Sequence, residues 1–139
     1  ATIDGSARLW SASTGGVEVG ASVKAELSDF VVSMHLAGRS VAARARAIRK
    51  VIRVSRNMGS AALALAYVAN GRFDAFIQQG GLSTWDVAAA GFIAEVAGAT
   101  VTNLQGQPWF GVGAKSRSMT ILAAPTAHHA ELLRLIAGG

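Results

Sequence analysis

Residues 56–91 read RNMGSAALALAYVANGRFDAFIQQGGLSTWDVAAAG, and this stretch decides the fold. Ser60 can be the N-cap or a first-turn residue of the alanine-rich run that follows it, and Asn70-Gly71 is a left-handed stop, so we predict a helix over 60–70. The alternating segment 72–79 predicts a strand. A second alanine-rich helix is predicted from Thr84 or Trp85 to Ala97, where Gly98 closes it.

Outside this stretch the pattern continues to alternate between strands and helices. We predict a strand over 29–36, a basic helix over about 40–54 that a short strand at 51–55 could cut short, and strands over 100–104 and 119–123. A last helix is predicted over 126–136, capped by Thr126, after a loop-rich opening with a hairpin-type turn at Asp4-Gly5. Such alternation is typical of the α/β class and predicts one domain over 1–139.

The composition is that of a globular protein with a real core. The chain has 139 residues, of which 51% are hydrophobic, and no apolar run reaches the ~18 residues that a membrane span needs. The N-terminus has no basic-then-apolar signal pattern, so we expect a soluble, cytoplasmic protein with no membrane partner. The chain has no cysteine, so any metal ion has to be held by oxygen or histidine ligands.

Positive charge is concentrated in one segment. Seven of the 13 basic residues lie there, with no acid between Asp29 and Asp74: Arg39, Arg44, Arg46, Arg49, Lys50, Arg53 and Arg56. The i, i+3, i+4, i+7 spacing of four of these residues predicts one face of an amphipathic helix: Arg46, Arg49, Lys50 and Arg53. This face could be solvated, meet a protein partner or bind nucleic acid, and the absence of interleaved aromatic residues makes nucleic acid the least favoured of the three.

Asp86 is the acid whose role matters most, because it stands at the start of an almost uncharged helix. Neither alanine-rich helix shows a polar face, so we predict that both are buried between layers. A helix start carries free N–H groups and partial positive charge, which makes Gly59-Ser60-Ala61 and Trp85-Asp86 two candidate anchoring points. On these grounds Asp86 is either a helix cap or a ligand for a hard cation.

Four segments together resemble a known family: RNMGSAA at 56–62, AYVANGRFDAF at 66–76, WDVAAA at 85–90 and EVAGATVTNLQGQPW at 95–109. In order and spacing they resemble the C-terminal half of the inositol monophosphatase family. The resemblance implies a layered helix-sheet fold and a Mg²⁺-dependent phosphomonoesterase that acts on a small polyol or sugar phosphate. Members of the family also commonly form dimers.

The resemblance implies roles for particular residues. Asp86 corresponds to an aspartate that ligates a metal ion and touches a substrate hydroxyl. The turn formed by Gly59, Ser60, Ala61 and Ala62 corresponds to a substrate-binding turn. Gln78 is the nearest match to an acid that many members use for substrate hydroxyls, and Arg56 matches a position that can orient the site.

The family's other metal ligands lie in its N-terminal half, in a glutamate-bearing helix and an Asp-Pro-Ile/Leu-Asp-Gly-Thr motif. Ile3-Asp4-Gly5-Ser6 matches that motif only in part, and Asp4 stands too close to Asp86 in sequence to be the family's ligand. We therefore expect this chain to correspond to the C-terminal half, with the metal-binding N-terminal half absent. A catalytically incomplete assembly module and a basic nucleic-acid-binding domain remain alternatives.

The remaining candidates for chemistry are weaker. His128 and His129 are predicted to lie on the surface in the last helix, and His35 to be a core or edge residue of its strand. Glu95 is predicted to make a structural hydrogen bond. Trp10, Trp85 and Trp109 are interpreted as core or interface anchors.

Overall fold

The computed structural model describes residues 5–13, 15–110 and 117–138. Within these ranges the chain forms seven strands and four α-helices. In chain order they are β1 (Arg8–Ser11), β2 (Gly15–Glu18), β3 (Val31–His35), α1 (Ala42–Val51), β4 (Val54–Arg56), α2 (Ala61–Ala69), β5 (Ala75–Ser83), α3 (Thr84–Val96), β6 (Ala99–Thr102), β7 (Arg117–Pro125) and α4 (Thr126–Ala137).

Five of the strands form one mixed sheet in the order β4–β3–β5–β7–β6, and β1 pairs with β2 in a separate antiparallel hairpin. Strand β3 runs parallel to β4 and β5, while β7 runs antiparallel to β5 and β6. The parallel pairs are joined through α1 and α2, as parallel strands require. The α/β class that the sequence predicts is therefore confirmed.

Helices cover both faces of this sheet. Helices α2 and α3 pack on one face, where Leu65, Val87 and Ile121 belong to one buried cluster. Helices α1 and α4 pack on the other face, where Ile48, Leu122 and Leu132 belong to a second cluster. Because side chains alternate along a strand, neighbouring residues of β7 contribute to opposite clusters, and the sheet lies between two apolar layers.

An ion pair between a buried carboxylate and a partly exposed lysine closes the end of the sheet at which β3 and β5 begin. Asp74 precedes β5 and is 0% exposed, and its Oδ2 lies 2.8 Å from Nζ of Lys24, whose side chain is 40% exposed. The same Oδ2 accepts a 2.6 Å hydrogen bond from the backbone N–H of Val31. Asp74 therefore ties the segment before β3 to the start of β5, a role that the sequence did not suggest.

Several element boundaries differ from the predictions. Strand β5 begins later than residue 72 and runs on to Ser83, through a register shift at Gly80 and Gly81, whose φ values of 70° and 72° suit glycine. Helix α1 ends at Val51 and leaves room for the short strand β4. The opening is not all loop, since β1 and β2 form a hairpin, and Asp4 of the predicted Asp4-Gly5 turn lies outside the described residues.

Two predictions about the helices are wrong. Helices α2 and α3 are not buried between layers within the described chain, because each buries one face only and leaves Leu63 and Phe92 exposed. Thr126 is the first residue of α4 rather than its cap; Pro125 occupies the cap position, and the Thr126 hydroxyl lies 2.8 Å from that of Thr100.

Of the three tryptophans, only Trp109 is a core residue. Trp10 and Trp85 are exposed, whereas Trp109 is buried against Gly91. Trp109 Nε1 donates a 2.8 Å hydrogen bond to Glu95 Oε1, which confirms the structural role predicted for that glutamate. In the part of the chain that the structure describes, no helix is long and apolar enough to cross a membrane.

Candidate functional site

A cavity of about 540 Å³ lies where the parallel strands β3 and β4 end. Its wall is built from the end of β3, the loop between β4 and α2, the middle of β5 and the start of α3. Ligands of open α/β sheets bind at the carboxyl ends of the strands, which is the position of this cavity. It contains six of the seven residues to which the family resemblance gives a role: Gly59, Ser60, Ala61, Ala62, Gln78 and Asp86.

The start of α2 presents its backbone to the cavity. Gly59 has a φ of 66°, and no heavy atom lies within 4 Å of the position that a Cβ would take. Ser60 is the N-cap, as predicted, because its Oγ accepts a 3.3 Å hydrogen bond from the backbone N–H of Leu63. The N–H groups of Ala61 and Ala62 have no acceptor within the helix, so this end of α2 carries partial positive charge.

Asp86 caps α3 and also faces the cavity. It lies in the first turn of the helix, where its Oδ2 accepts a 2.7 Å hydrogen bond from the backbone N–H of Ser83. The other carboxylate oxygen, Oδ1, has no hydrogen bond to any described residue. Cap and ligand are therefore compatible roles for Asp86, because the cap occupies one of its two oxygens.

Gln78 and His35 are neighbours across the sheet, on β5 and β3. Gln78 Nε2 donates a 3.1 Å hydrogen bond to the carbonyl oxygen of Gly80, inside the irregular part of β5. His35 is exposed and lines the cavity, and its Nδ1 lies 3.2 Å from Asn57 Nδ2. The sequence suggested only a core or edge role for His35.

Asn57 also lines the cavity, and the sequence did not suggest a role for it. Its Oδ1 accepts a 3.0 Å hydrogen bond from the N–H of Gly59, two residues further on. This is an Asx turn, and an asparagine two residues before a glycine is a signal that could have identified it. The turn fixes the loop that leads into α2.

Arg56 is the one predicted site residue outside this group. It is the last residue of β4, it is exposed, and it is not among the residues that line the cavity. Its Nη1 donates a 3.1 Å hydrogen bond to the carbonyl oxygen of Ser55.

The described residues do not by themselves fit a closed Mg²⁺ site. Asp86 is the one carboxylate among the described residues that line the cavity. No group of three His, Asp or Glu side chains that could share a metal ion occurs in residues 5–13, 15–110 and 117–138. Mg²⁺ takes six oxygen ligands in octahedral geometry and is bound in proteins by carboxylates together with water and substrate phosphates. Asp4 lies outside the described residues.

The histidines of α4 lie away from the cavity, and the prediction of surface positions is wrong for His129. This residue is buried, and its Nε2 lies 3.0 Å from Thr102 Oγ1. Burial lowers the pKa of His129 below its ordinary value of 6.5. His128 is half-buried, and its Nε2 lies 2.8 Å from the carbonyl oxygen of Ala25.

Taken together, these features define an α/β sandwich protein with a cavity that is lined by the starts of two helices. A family model described as the inositol monophosphatase family matches residues 8–137. The chain belongs to the inositol monophosphatase family.

Individual relatives agree with this assignment. A fructose-1,6-bisphosphatase/inositol-1-monophosphatase of Methanothermobacter thermautotrophicus is 38% identical over 95 residues, which are 67% of this chain and 34% of the relative. An inositol-1-monophosphatase of Mesorhizobium japonicum is 51% identical over 51 residues, which are 37% of this chain and 19% of the relative.

Solved structures share the fold. The extragenic suppressor protein suhB of Bartonella henselae superposes with a TM-score of 0.75 at 27% identity, over 96% of this chain and 53% of the other. An inositol monophosphatase of Anabaena superposes with a TM-score of 0.73 at 28% identity, over 95% and 54%. The chain thus spans about half the length of these structures and about a third of its archaeal relative.

Proposed function

We propose that this chain is the substrate-binding lobe of a Mg²⁺-dependent phosphomonoesterase that acts on a small phosphorylated polyol or sugar. The observation that carries the proposal is the meeting of two helix starts in one cavity, with the open turn Gly59–Ala62 on one side and Asp86 on the other. Relatives whose names describe them as inositol-1-monophosphatases support the substrate class.

In this proposal the two helix starts have different tasks. The unpaired N–H groups of Ala61 and Ala62, together with the helix dipole, attract anionic oxygen, and the open space at Gly59 lets the ligand approach the backbone. Asp86 accepts a hydrogen bond from a ligand hydroxyl through Oδ1, while Oδ2 remains in the helix cap. The capping bond keeps the carboxylate in one orientation before the ligand arrives.

The charge of the ligand supports a requirement for a divalent cation. A phosphomonoester carries up to two negative charges, and its approach to Asp86 brings like charges together. A divalent cation such as Mg²⁺, held in part by Asp86, would offset this repulsion and would supply Lewis acidity to phosphoryl chemistry. Asp86 supplies one of its ligands in this proposal, and the other protein ligands come from outside the described residues.

A titration with a matched control tests the proposal. We expect myo-inositol 1-phosphate to bind to the purified chain in the presence of Mg²⁺, measured by calorimetry, and Asp86→Asn to weaken this binding at least tenfold. Glu131→Gln removes one carboxylate from the exposed side of α4, away from the cavity, and is expected to leave the affinity unchanged. Equal affinity in the wild type and Asp86→Asn would refute the proposal.

Phosphate release in the same preparations separates a complete enzyme from a substrate-binding lobe. Turnover that depends on Mg²⁺ and disappears in Asp86→Asn supports an enzyme that is active as this chain. Binding without turnover supports the catalytically incomplete module, whose metal site is completed by another polypeptide segment.

The exposed face of α1 favours a second candidate function, which is the binding of an acidic partner. Arg46, Arg49 and Lys50 of α1 are exposed, and none of them forms an ion pair with another described residue. Arg53, which the sequence predicted to lie on the same helix face, follows the end of α1 at Val51. We propose an acidic protein surface, from a second copy or another segment of the same enzyme, as the partner of this face. Sedimentation at low and high salt tests for a dimer, and binding to arbitrary DNA that weakens steeply with salt would favour nucleic acid instead.

A further inference from the structure

His35 belongs to a fixed chain of hydrogen bonds in the wall of the cavity. The N–H of Gly59 donates to Asn57 Oδ1 at 3.0 Å, which identifies the other end of the Asn57 side chain as the amide nitrogen. That nitrogen lies 3.2 Å from His35 Nδ1. Because an amide nitrogen can only donate, Nδ1 of His35 has to accept, and the proton of the neutral imidazole is on Nε2.

The free groups of His35 and Gln78 are complementary. His35 Nε2 has no hydrogen-bond partner among the described residues, and it is left as a donor. Gln78 Nε2 donates to the carbonyl oxygen of Gly80 at 3.1 Å, which leaves Gln78 Oε1 as an acceptor. His35 and Gln78 occupy paired positions on β3 and β5, and both line the cavity.

Side chains at paired positions of adjacent strands lie on the same face of a sheet, within reach of one small group. A donor beside an acceptor matches a hydroxyl, which accepts one hydrogen bond and donates another. An ammonium group has no lone pair to accept from His35. This pair of residues therefore favours a hydroxyl over an amine at this place in the cavity.

We propose that His35, oriented by Asn57, is a specificity-determining residue that donates a hydrogen bond from Nε2 to a hydroxyl of the phosphorylated polyol or sugar. This inference rests on the proposed function, since it assumes that the cavity binds such a ligand. Asn57 acts on the ligand only through His35 and through the Gly59 turn, so it is a positioning residue.

The ligand-free protein gives the first test. Long-range ¹H–¹⁵N correlation spectra of the imidazole are expected to show the Nε2–H tautomer of His35. Asn57→Ala removes the donor to Nδ1 and is expected to produce a mixture of both tautomers. Asn70→Ala is the matched control, because Asn70 forms the same kind of turn with the N–H of Arg72 at 3.2 Å but does not line the cavity. An Nδ1–H tautomer in the wild type would overturn the inference.

Ligand titrations give the second test. The His35 ring signals are expected to shift when myo-inositol 1-phosphate is added with Mg²⁺, and His35→Ala to weaken its binding about fivefold, the usual effect of one hydrogen bond. Binding of inorganic phosphate, which has no polyol hydroxyl, is expected to be the same in both proteins. An equal loss for both ligands, or a loss for neither, overturns the role given to His35.

The pattern of shifts distinguishes failure of this inference from failure of the proposed function. If the amides of Ala61 and Val87 respond to myo-inositol 1-phosphate and the His35 ring does not, the inference about His35 is wrong and the proposed function stands. If neither region responds, both are wrong.

Discussion

Two aspartates near opposite ends of β5 show how the same side chain is used in two ways. Asp74 precedes the strand, is completely buried and gives its Oδ2 to Lys24 and to the backbone of Val31. Asp86 follows the strand, is half-buried and lines the cavity, and its Oδ1 has no hydrogen bond to a described residue, whereas Oδ2 caps α3. Oδ1 of Asp74 also has no hydrogen-bond partner among the described residues, but it is buried, whereas Asp86 lines the cavity, where a ligand can reach it. The two ends of the sheet therefore differ in the access that they give to a carboxylate.

The largest expected effect on folding comes from breaking the ion pair between Asp74 and Lys24. Asp74→Ala removes the acceptor of two hydrogen bonds, which leaves the Val31 N–H without its partner and Lys24 with only the carbonyl oxygen of Asp29, so we expect a loss of about 3 kcal/mol in the free energy of unfolding. Urea denaturation followed by circular dichroism measures it. A loss below about 0.5 kcal/mol would show that the closed end of the sheet does not depend on this charge.

Gly91 and Gly59 differ in the space around them in the same way, since one lies in the packed core and the other beside the cavity. A Cβ at Gly91 would lie 2.4 Å from a ring carbon of Trp109, whereas a Cβ at Gly59 would meet nothing within 4 Å. We expect Gly91→Ala to lower the free energy of unfolding by about 2 kcal/mol, because the buried Trp109 ring has to move.

Gly59→Ala is expected to lower the free energy of unfolding by about 1 kcal/mol. The reason is the φ of 66° at this position, a backbone conformation that alanine adopts less readily than glycine. Its effect on the affinity for myo-inositol 1-phosphate is expected to exceed that of Gly91→Ala, because the new methyl group enters the cavity. A larger loss of affinity in Gly91→Ala than in Gly59→Ala would contradict the substrate-binding role that we propose for this turn.

Asp86→Asn is expected to have a small effect on folding despite its large effect on binding. The asparagine oxygen can still accept the Ser83 N–H, so only the favourable interaction of charge with the start of α3 is lost, about 0.5 kcal/mol. A loss as large as that in Asp74→Ala would place Asp86 with the structural acids.

The smallest expected effect is the contribution of His129 to the pH dependence of the free energy of unfolding. Its pKa is lowered by burial, so the unfolded chain binds the proton more readily than the folded one. The contribution of His129 to the free energy of unfolding is therefore fully present above the ordinary pKa of about 6.5. It is lost as the pH falls from there toward the lowered pKa of the folded state. Urea midpoints at pH 7.5 and 5.5 are expected to differ less in His129→Gln than in the wild type. An equal difference would assign the pH dependence to other groups.

Local patterns in the sequence predicted much of the fold. The alanine-rich runs, Ser60 and Asn70-Gly71 located α2 and α3, because helix caps and stops are encoded within a few residues. The end of β5 was misplaced because Gly80 and Gly81 look like a break, whereas in the sheet they form an irregular pairing with β7. That pairing depends on residues about 40 positions away in the chain.

The site was predicted where it rests on contiguous residues and missed where it rests on tertiary contacts. Gly59, Ser60 and Asp86 lie in recognisable motifs, and the structure brings them into one cavity. His35 joins them only because β3 lies between β4 and β5 in the sheet. The burial of Asp74 likewise depends on Lys24, which is 50 residues away in the chain.

We propose that Asp86, rather than Asp74, is the acid that binds a divalent cation beside the ligand. Paramagnetic broadening of backbone amide signals by Mn²⁺, a hard divalent cation, tests it most directly. We predict that the amides of residues 83–87 and 59–61 broaden first, that Asp86→Asn abolishes this pattern, and that Glu131→Gln preserves it. Broadening that is centred outside the cavity, or that persists unchanged in Asp86→Asn, would contradict the claim.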